Sequence, residues 1–416
     1  MPFAAFALST ALLVTPQYGA SEEWRHDLPP NVEAIVAQVD AQDPPVPAGA
    51  KFENEQHEKD IKADIEKGRK YAAEIDKELK SSEDADAIER VNRIGAELAA
   101  IANANQVEVL WGDKRLNPFP YSFHLVKGED VNAFSIPGGY IYIYEGLVKY
   151  AESDDELAGV MAHEIGHAAF RHIATLTKKQ SGFQVLQIPL LVLAILTGSP
   201  EAMAAAQIGS MTQQAFASAW SVQAETASDY GAIQYMRKSK YNPVGVLTFM
   251  ERLAYRDRNG PKIEWGIYQS HPPSNERAEF ILRELNEAKI PIARSLVSTS
   301  LRARTEIGNE GSLKLKFNNI ELYEFRGDHA IERAEDAAKR MNVFFDTVPA
   351  VFEVNRNGYK VTGMNRPLFE IEQTDMKGGE SMDDRLALAL KQLRTAVFDV
   401  NYRLWNRSDQ FLPPDR

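Results

Sequence analysis

The chain has 416 residues, 44% hydrophobic and 25% charged, with a formal net charge of −12 at pH 7 and no cysteine. This length and composition suit a globular protein of two or three domains, and the acidic balance argues against a nucleic-acid partner held through phosphates. The lack of cysteine removes disulfides, thiolate metal sites, cysteine nucleophiles and a lipidated cysteine, so any metal must be held by histidine and carboxylate.

Residues 1–20 carry a short apolar run, Met1 to Val14, that ends near Tyr18, Gly19 and Ala20. It reads as a possible signal segment, although no Lys or Arg precedes the run. Export to a periplasmic or similar compartment is the expectation; a cytoplasmic enzyme with an apolar tail is the alternative. Residues 21–50, rich in Pro, Ala and Asp, read as a linker or wrapping arm. Apolar spacing then predicts helices over Glu55–Leu79 and Asp84–Asn103, both scaffold. Tyr121–Val126 alternates as a strand, with His124 a structural residue. The turn at Pro137, Gly138 and Gly139 precedes a strand at Tyr140–Tyr144. That strand is either an edge on which an extended substrate peptide pairs or part of a hairpin that only supports the next helix.

The next helix, Glu156–His172, holds His163, Glu164 and His167 among Val160, Met161, Ile165, Ala168 and Phe170. Residues four apart share a helix face, so the two imidazoles can close on one zinc ion. Glu164 can then serve as general base for a metal-activated water. The bland alternative is a pair of satisfied core histidines. Burying two imidazoles among apolar residues is costly unless something satisfies them, which favours the metal. His172, five positions beyond His167, lies about 140° further round the helix and reads as a capping or packing residue.

Gln184–Thr197 is apolar, but about a dozen helical residues reach roughly 18 Å, short of a hydrocarbon core of roughly 30 Å. It reads as a buried helix or a flap over the cleft; peripheral membrane contact is the minority alternative. Residues 201–236 form a long helical stretch of small residues. Glu225 lies in its apolar part, where a carboxylate is expensive unless paired or metal-bound, and is the best candidate for a third ligand. Asp229, one turn on, can accept a hydrogen bond from the rear nitrogen of a ligand histidine, or be a surface acid.

Four elements together resemble the HtpX and CAAX-prenyl-protease family of gluzincin metallopeptidases. They are His163 to His167, Glu225 with Asp229 and Gly231, Asn132–Gly139 upstream, and Ser270–Ser274 followed by Arg277. The likeness covers roughly residues 55–290. It implies His163, His167 and Glu225 as ligands of one zinc ion per chain, Glu164 as base and proton shuttle, and a supporting or proton-donating role for Asp229. It also implies that His271 lies near the cleft, where it could cover the metal or steady the oxyanion. Ala227 and Val222 stand where the family often has an acid and an arginine. The lack of long apolar spans resembles a soluble, periplasmic-type member.

The fold class expected is α+β: a mainly helical zincin-type core with a small sheet over 51–290, then a small α/β module of unknown role over 291–416. In that module, strands are expected around Asn318 and Asn319, a helix at Ile331–Asn342, a hairpin turning at Asn355–Gly358, and a final helix at Leu386–Trp405. The function expected is a zinc metalloendopeptidase acting on unfolded or misassembled polypeptides. A chaperone-like assembly factor with latent protease activity, and a zinc hydrolase of small amides, are the rivals.

Overall fold

The computed structural model describes residues 46–47, 49–179, 222–259 and 275–404. The expected signal segment, nearly all of the linker, the Gln184–Thr197 helix and His271 lie outside them.

Two scaffold helices come first, α1 (Glu55–Glu78) and α2 (Ala85–Ala104), capped by the Asn54 and Asp84 side chains. They are followed by β1 (Ser122–Val126), β2 (Ala133–Ile136) and β3 (Tyr140–Tyr144). The strand order is β1-β3-β2, with β1 parallel and β2 antiparallel to β3. Tyr140–Tyr144 is therefore the central strand, hydrogen-bonded on both sides, and has no free edge for a peptide. β2 and β3 form a local hairpin across Pro137–Gly139, the alternative the sequence offered; it is β1, paired in parallel on the far side of β3, whose choice of neighbour is not local in sequence. His124 packs as expected: its ring stacks on Tyr142 at 4.7 Å.

After α3 (Glu145–Tyr150) comes α4 (Asp154–Ala169). The Ser153 hydroxyl accepts from Glu156 N at 3.1 Å, and three acids in the first turn suit the positive end of the helix dipole. Every residue from Glu156 to Ala169 is buried, so α4 is the axis of this core. It packs on α2, β2, α6 (Val222–Met236) and α7 (Val244–Asn259). Contact with α7 is close enough that a Cβ on Gly159 would sit 2.9 Å from Val246 N. The helix does not run on to His172. It stops at Ala169, Arg171 adopts a left-handed φ of 50°, and α5 (His172–Lys179) starts afresh. α8 (Asn275–Glu287) packs on α6 and α7. Among the described residues, no helix is long and apolar enough to cross a membrane.

A second hydrophobic core gathers residues from Leu301 to Leu404, distinct from the one spanning Val91 to Val297. α9 (Arg294–Val297) lies between them, its Val297 in the first core; the second is built from two antiparallel three-stranded sheets and two helices. The sheets are β4 (Ala303–Ile307) with β5 (Leu313–Phe317) and β6 (Ile320–Phe325), and β7 (Val354–Asn357) with β8 (Lys360–Gly363) and β9 (Arg366–Glu370). The helices are α10 (Ala330–Asp346) and α11 (Met382–Arg403). Asn357 pairs with Lys360, so the β7–β8 turn is centred on Gly358 and Tyr359, not on Asn355–Gly358. Gly358 has φ of 60° and Tyr359 has none above zero, the pattern of a two-residue type II′ turn. The two cores are fastened together through the α9 segment: Arg294 donates to Glu251 at 2.8 and 2.7 Å and the Ser298 hydroxyl to Glu152 at 2.5 Å on the first side, while Ser295 N and Oγ donate to Asp346 of α10 at 2.8 and 2.7 Å on the second.

Candidate metal centre

The centre forms where α4 lies against α6. Two helical positions four apart on each helix face the contact: His163 and His167 from one, Glu225 and Asp229 from the other. His163 Nε2 and His167 Nε2 are 3.0 Å apart. Glu225 Oε2 lies 3.4 Å from His163 Nε2, and its Oε1 lies 3.3 Å from His167 Nε2. All three side chains are buried. Among the described residues they are the one group of three or more His, Cys, Asp or Glu residues able to hold a metal ion.

The rear of each imidazole is also occupied. His163 Nδ1 is 2.9 Å from Asp229 Oδ1, as anticipated for that acid. His167 Nδ1 is 2.9 Å from His172 Nδ1, and His172 Nε2 is 3.0 Å from the Trp111 carbonyl. His172 therefore neither caps α4 nor points away; the break at Arg171 turns it back behind His167. Sequence reasoning assumed one uninterrupted helix and missed it, since no glycine or proline marks the break.

Arg277, on α8, is the second residue whose role the sequence did not reveal. Its Nε and Nη2 donate to the two oxygens of Asp229, each at 2.8 Å. Its Nη1 is 3.0 Å from Glu225 Oε2. One buried guanidinium thus ties both carboxylates of α6. Burial pushes the Asp229 carboxyl up, but Arg277 and His163 outweigh it and hold Asp229 below the usual carboxylate range. Burial likewise opposes charge on His163, yet Asp229 and Glu225 raise it to about 9. His167 and His172 go the other way. Burial dominates both, taking His167 well below the ordinary histidine value and His172 down to about 4.

Glu164 is buried and, with His163, lines a cleft shared with Val160, Phe249, Met250, Leu253, Asp229 and Arg277. On the other side, Ser135 and Ile136 of β2 line a second cleft together with His167.

Residues 89–285 match the model of peptidase family M48. Over that stretch the chain is similar to family M48 peptidases. The matched stretch contains the whole centre, from Trp111 to Arg277. The beta-barrel assembly-enhancing protease of Yersinia pestis is 30% identical over 203 residues, 48% of this chain and 39% of the relative. Metalloprotease YcaL of Escherichia coli is 26% identical over 198 residues, 48% of this chain and 72% of the relative. Mitochondrial metalloendopeptidase OMA1 of Arabidopsis thaliana is 30% identical over 156 residues, 38% of this chain and 30% of the relative. The matched segment thus spans about two fifths of the length of the Yersinia protein.

Proposed function

We propose that the chain is a zinc-dependent metalloendopeptidase that hydrolyses unfolded or misassembled polypeptides. The observation that carries this reading is the convergence of His163, His167 and Glu225. A tetrahedral zinc with ligand bonds of about 2.0–2.1 Å sets neighbouring ligand atoms about 3.3–3.4 Å apart. The separations of 3.0, 3.3 and 3.4 Å fit one zinc ion per chain with a fourth position left for water or substrate.

Bound there, zinc would polarise the scissile carbonyl and acidify the attacking water. Glu164, one residue from His163 and buried in the cleft, would take the proton from that water and hand it to the leaving amine. Asp229 would hold His163 by its rear nitrogen, and Arg277 would balance the charge of Asp229 and Glu225. An extended peptide would add to β2 rather than β3. The strand Ala133–Ile136 is an edge of its sheet and borders the cleft that holds His167. Main-chain pairing of that kind favours unfolded chains over any one sequence. The names of the barrel-assembly relatives support misassembled proteins as substrates and, with them, an exported location. The separate cores support a peptidase module over 51–290 and a second module over 291–416.

Glu164→Gln tests the reading. The variant should retain stoichiometric zinc and lose cleavage of casein; retained cleavage would move the base elsewhere.

A further inference from the structure

The two rear nitrogens of the centre are treated differently. His163 Nδ1 meets a carboxylate, whereas His167 Nδ1 meets a second imidazole. The far nitrogen of that imidazole, His172 Nε2, lies 3.0 Å from the Trp111 carbonyl. A carbonyl can only accept, so His172 Nε2 carries its proton. In the neutral ring Nδ1 is then the acceptor, and the donor between the two histidines is His167 Nδ1. A His167 protonated on Nδ1 offers its Nε2 lone pair toward His163 and Glu225.

We propose that His172 is a positioning residue that fixes His167 in the Nδ1–H tautomer, so that its Nε2 is always the ligating atom. The inference rests on the metal-centre reading above. Three features build the arrangement. Arg171, left-handed at φ 50°, bonds to Asp64 at 2.6 Å and Asp113 at 2.9 Å, which anchors the break that swings His172 back. Asp113 N donates to the Phe170 carbonyl at 2.8 Å, closing the Trp111 loop over the break. Gly112 has φ of 117°, and a Cβ there would lie 2.5 Å from Phe170 O and 2.9 Å from His172 Cδ2. The loop can thus bring the Trp111 carbonyl to His172 only with glycine at 112. Ser228 Oγ also approaches His172 Nδ1, at a longer 3.5 Å. Had His172 been present only to fill space between Trp111 and Phe170, a phenylalanine would serve.

The test uses the full chain, stripped of metal and titrated with zinc against a chromophoric chelator. His172→Phe keeps an aromatic ring and removes the acceptor; His172→Asn places an amide oxygen near the Nδ1 position. Orienting partners of this kind are worth about 10–100-fold in metal affinity. The expected result is a loss of that size for His172→Phe and substantial rescue by His172→Asn. Equal zinc binding by native protein and folded His172→Phe would overturn this inference alone. Native protein that binds no zinc would overturn the metal-centre reading and this inference with it. Nitrogen-15 shifts of the histidine rings in unaltered metal-free protein give a readout independent of the variants' folding. His167 should carry its proton on Nδ1; a proton on Nε2 would refute the assignment.

Discussion

Replacing Asp229 by Asn tests the charge arrangement behind the centre with almost no change of shape. Asp229 accepts three short contacts: two from Arg277 at 2.8 Å and one from His163 Nδ1 at 2.9 Å. Asn keeps one acceptor oxygen but turns the other into a donor that faces a guanidinium N–H. Hydrogen bonds to a charged partner contribute about 1.5–3 kcal/mol and neutral ones about 0.5–1.5 kcal/mol, so the loss is about 1 kcal/mol for each of three contacts. The opposed donors add about 1–3 kcal/mol. The metal-free protein should therefore unfold about 4–6 kcal/mol more easily, overlapping the roughly 3–5 kcal/mol for breaking a buried ion pair. Zinc affinity should fall about 10–100-fold, because His163 loses its charged orienting partner. Urea denaturation in the presence of a chelator reads the first quantity and a zinc competition titration the second. A variant that matches the native protein in both would refute the claim that Asp229 orients His163 and neutralises Arg277.

Gly159→Ala should destabilise the first core by about 1–3 kcal/mol, since the added methyl meets the α7 backbone and forces the helices apart; thermal unfolding checks this. Arg294→Met should loosen the fastening between the two cores and expose their boundary to limited proteolysis, because Glu251 is left buried without its bidentate partner. The second core should weaken in acid. Burial opposes ionisation of Glu324, but Ser312, Lys377 and Arg326 override it and hold the carboxyl down at about 2. A depressed acid stabilises the fold above its unfolded value of about 4.3, and that stability is lost as pH falls toward 2. Glu324→Gln should flatten the pH dependence of unfolding between those limits.

What the sequence revealed was what local geometry determines. Four-residue spacing on a helix placed His163 with His167 and Glu225 with Asp229, and the cost of a buried carboxylate singled out Glu225 before any fold was known. What it concealed depends on distant partners. The order of the first sheet places β1 in parallel against Tyr140–Tyr144 on the side away from β2, and alternation along a strand carries no record of which neighbour it takes. The break at Arg171 is held by Asp64 and Asp113, more than fifty residues upstream, so helix periodicity carried the reading past it and sent His172 to the wrong face. Arg277 belongs to a recognisable segment, yet its contact with Asp229 becomes legible only once α8 is seen against α6. In the second module, the Asn-Gly pair at 357 and 358 marked the hairpin correctly but left its register open by two residues.

The central claim is that two imidazoles and one carboxylate share a single cation, and metal analysis of the dialysed chain tests it most directly. Native protein should hold one zinc per chain, and His167→Ala and Glu225→Ala should each hold far less under the same dialysis. Native protein without stoichiometric metal, or a Glu225→Ala variant that keeps its full zinc, would contradict the account.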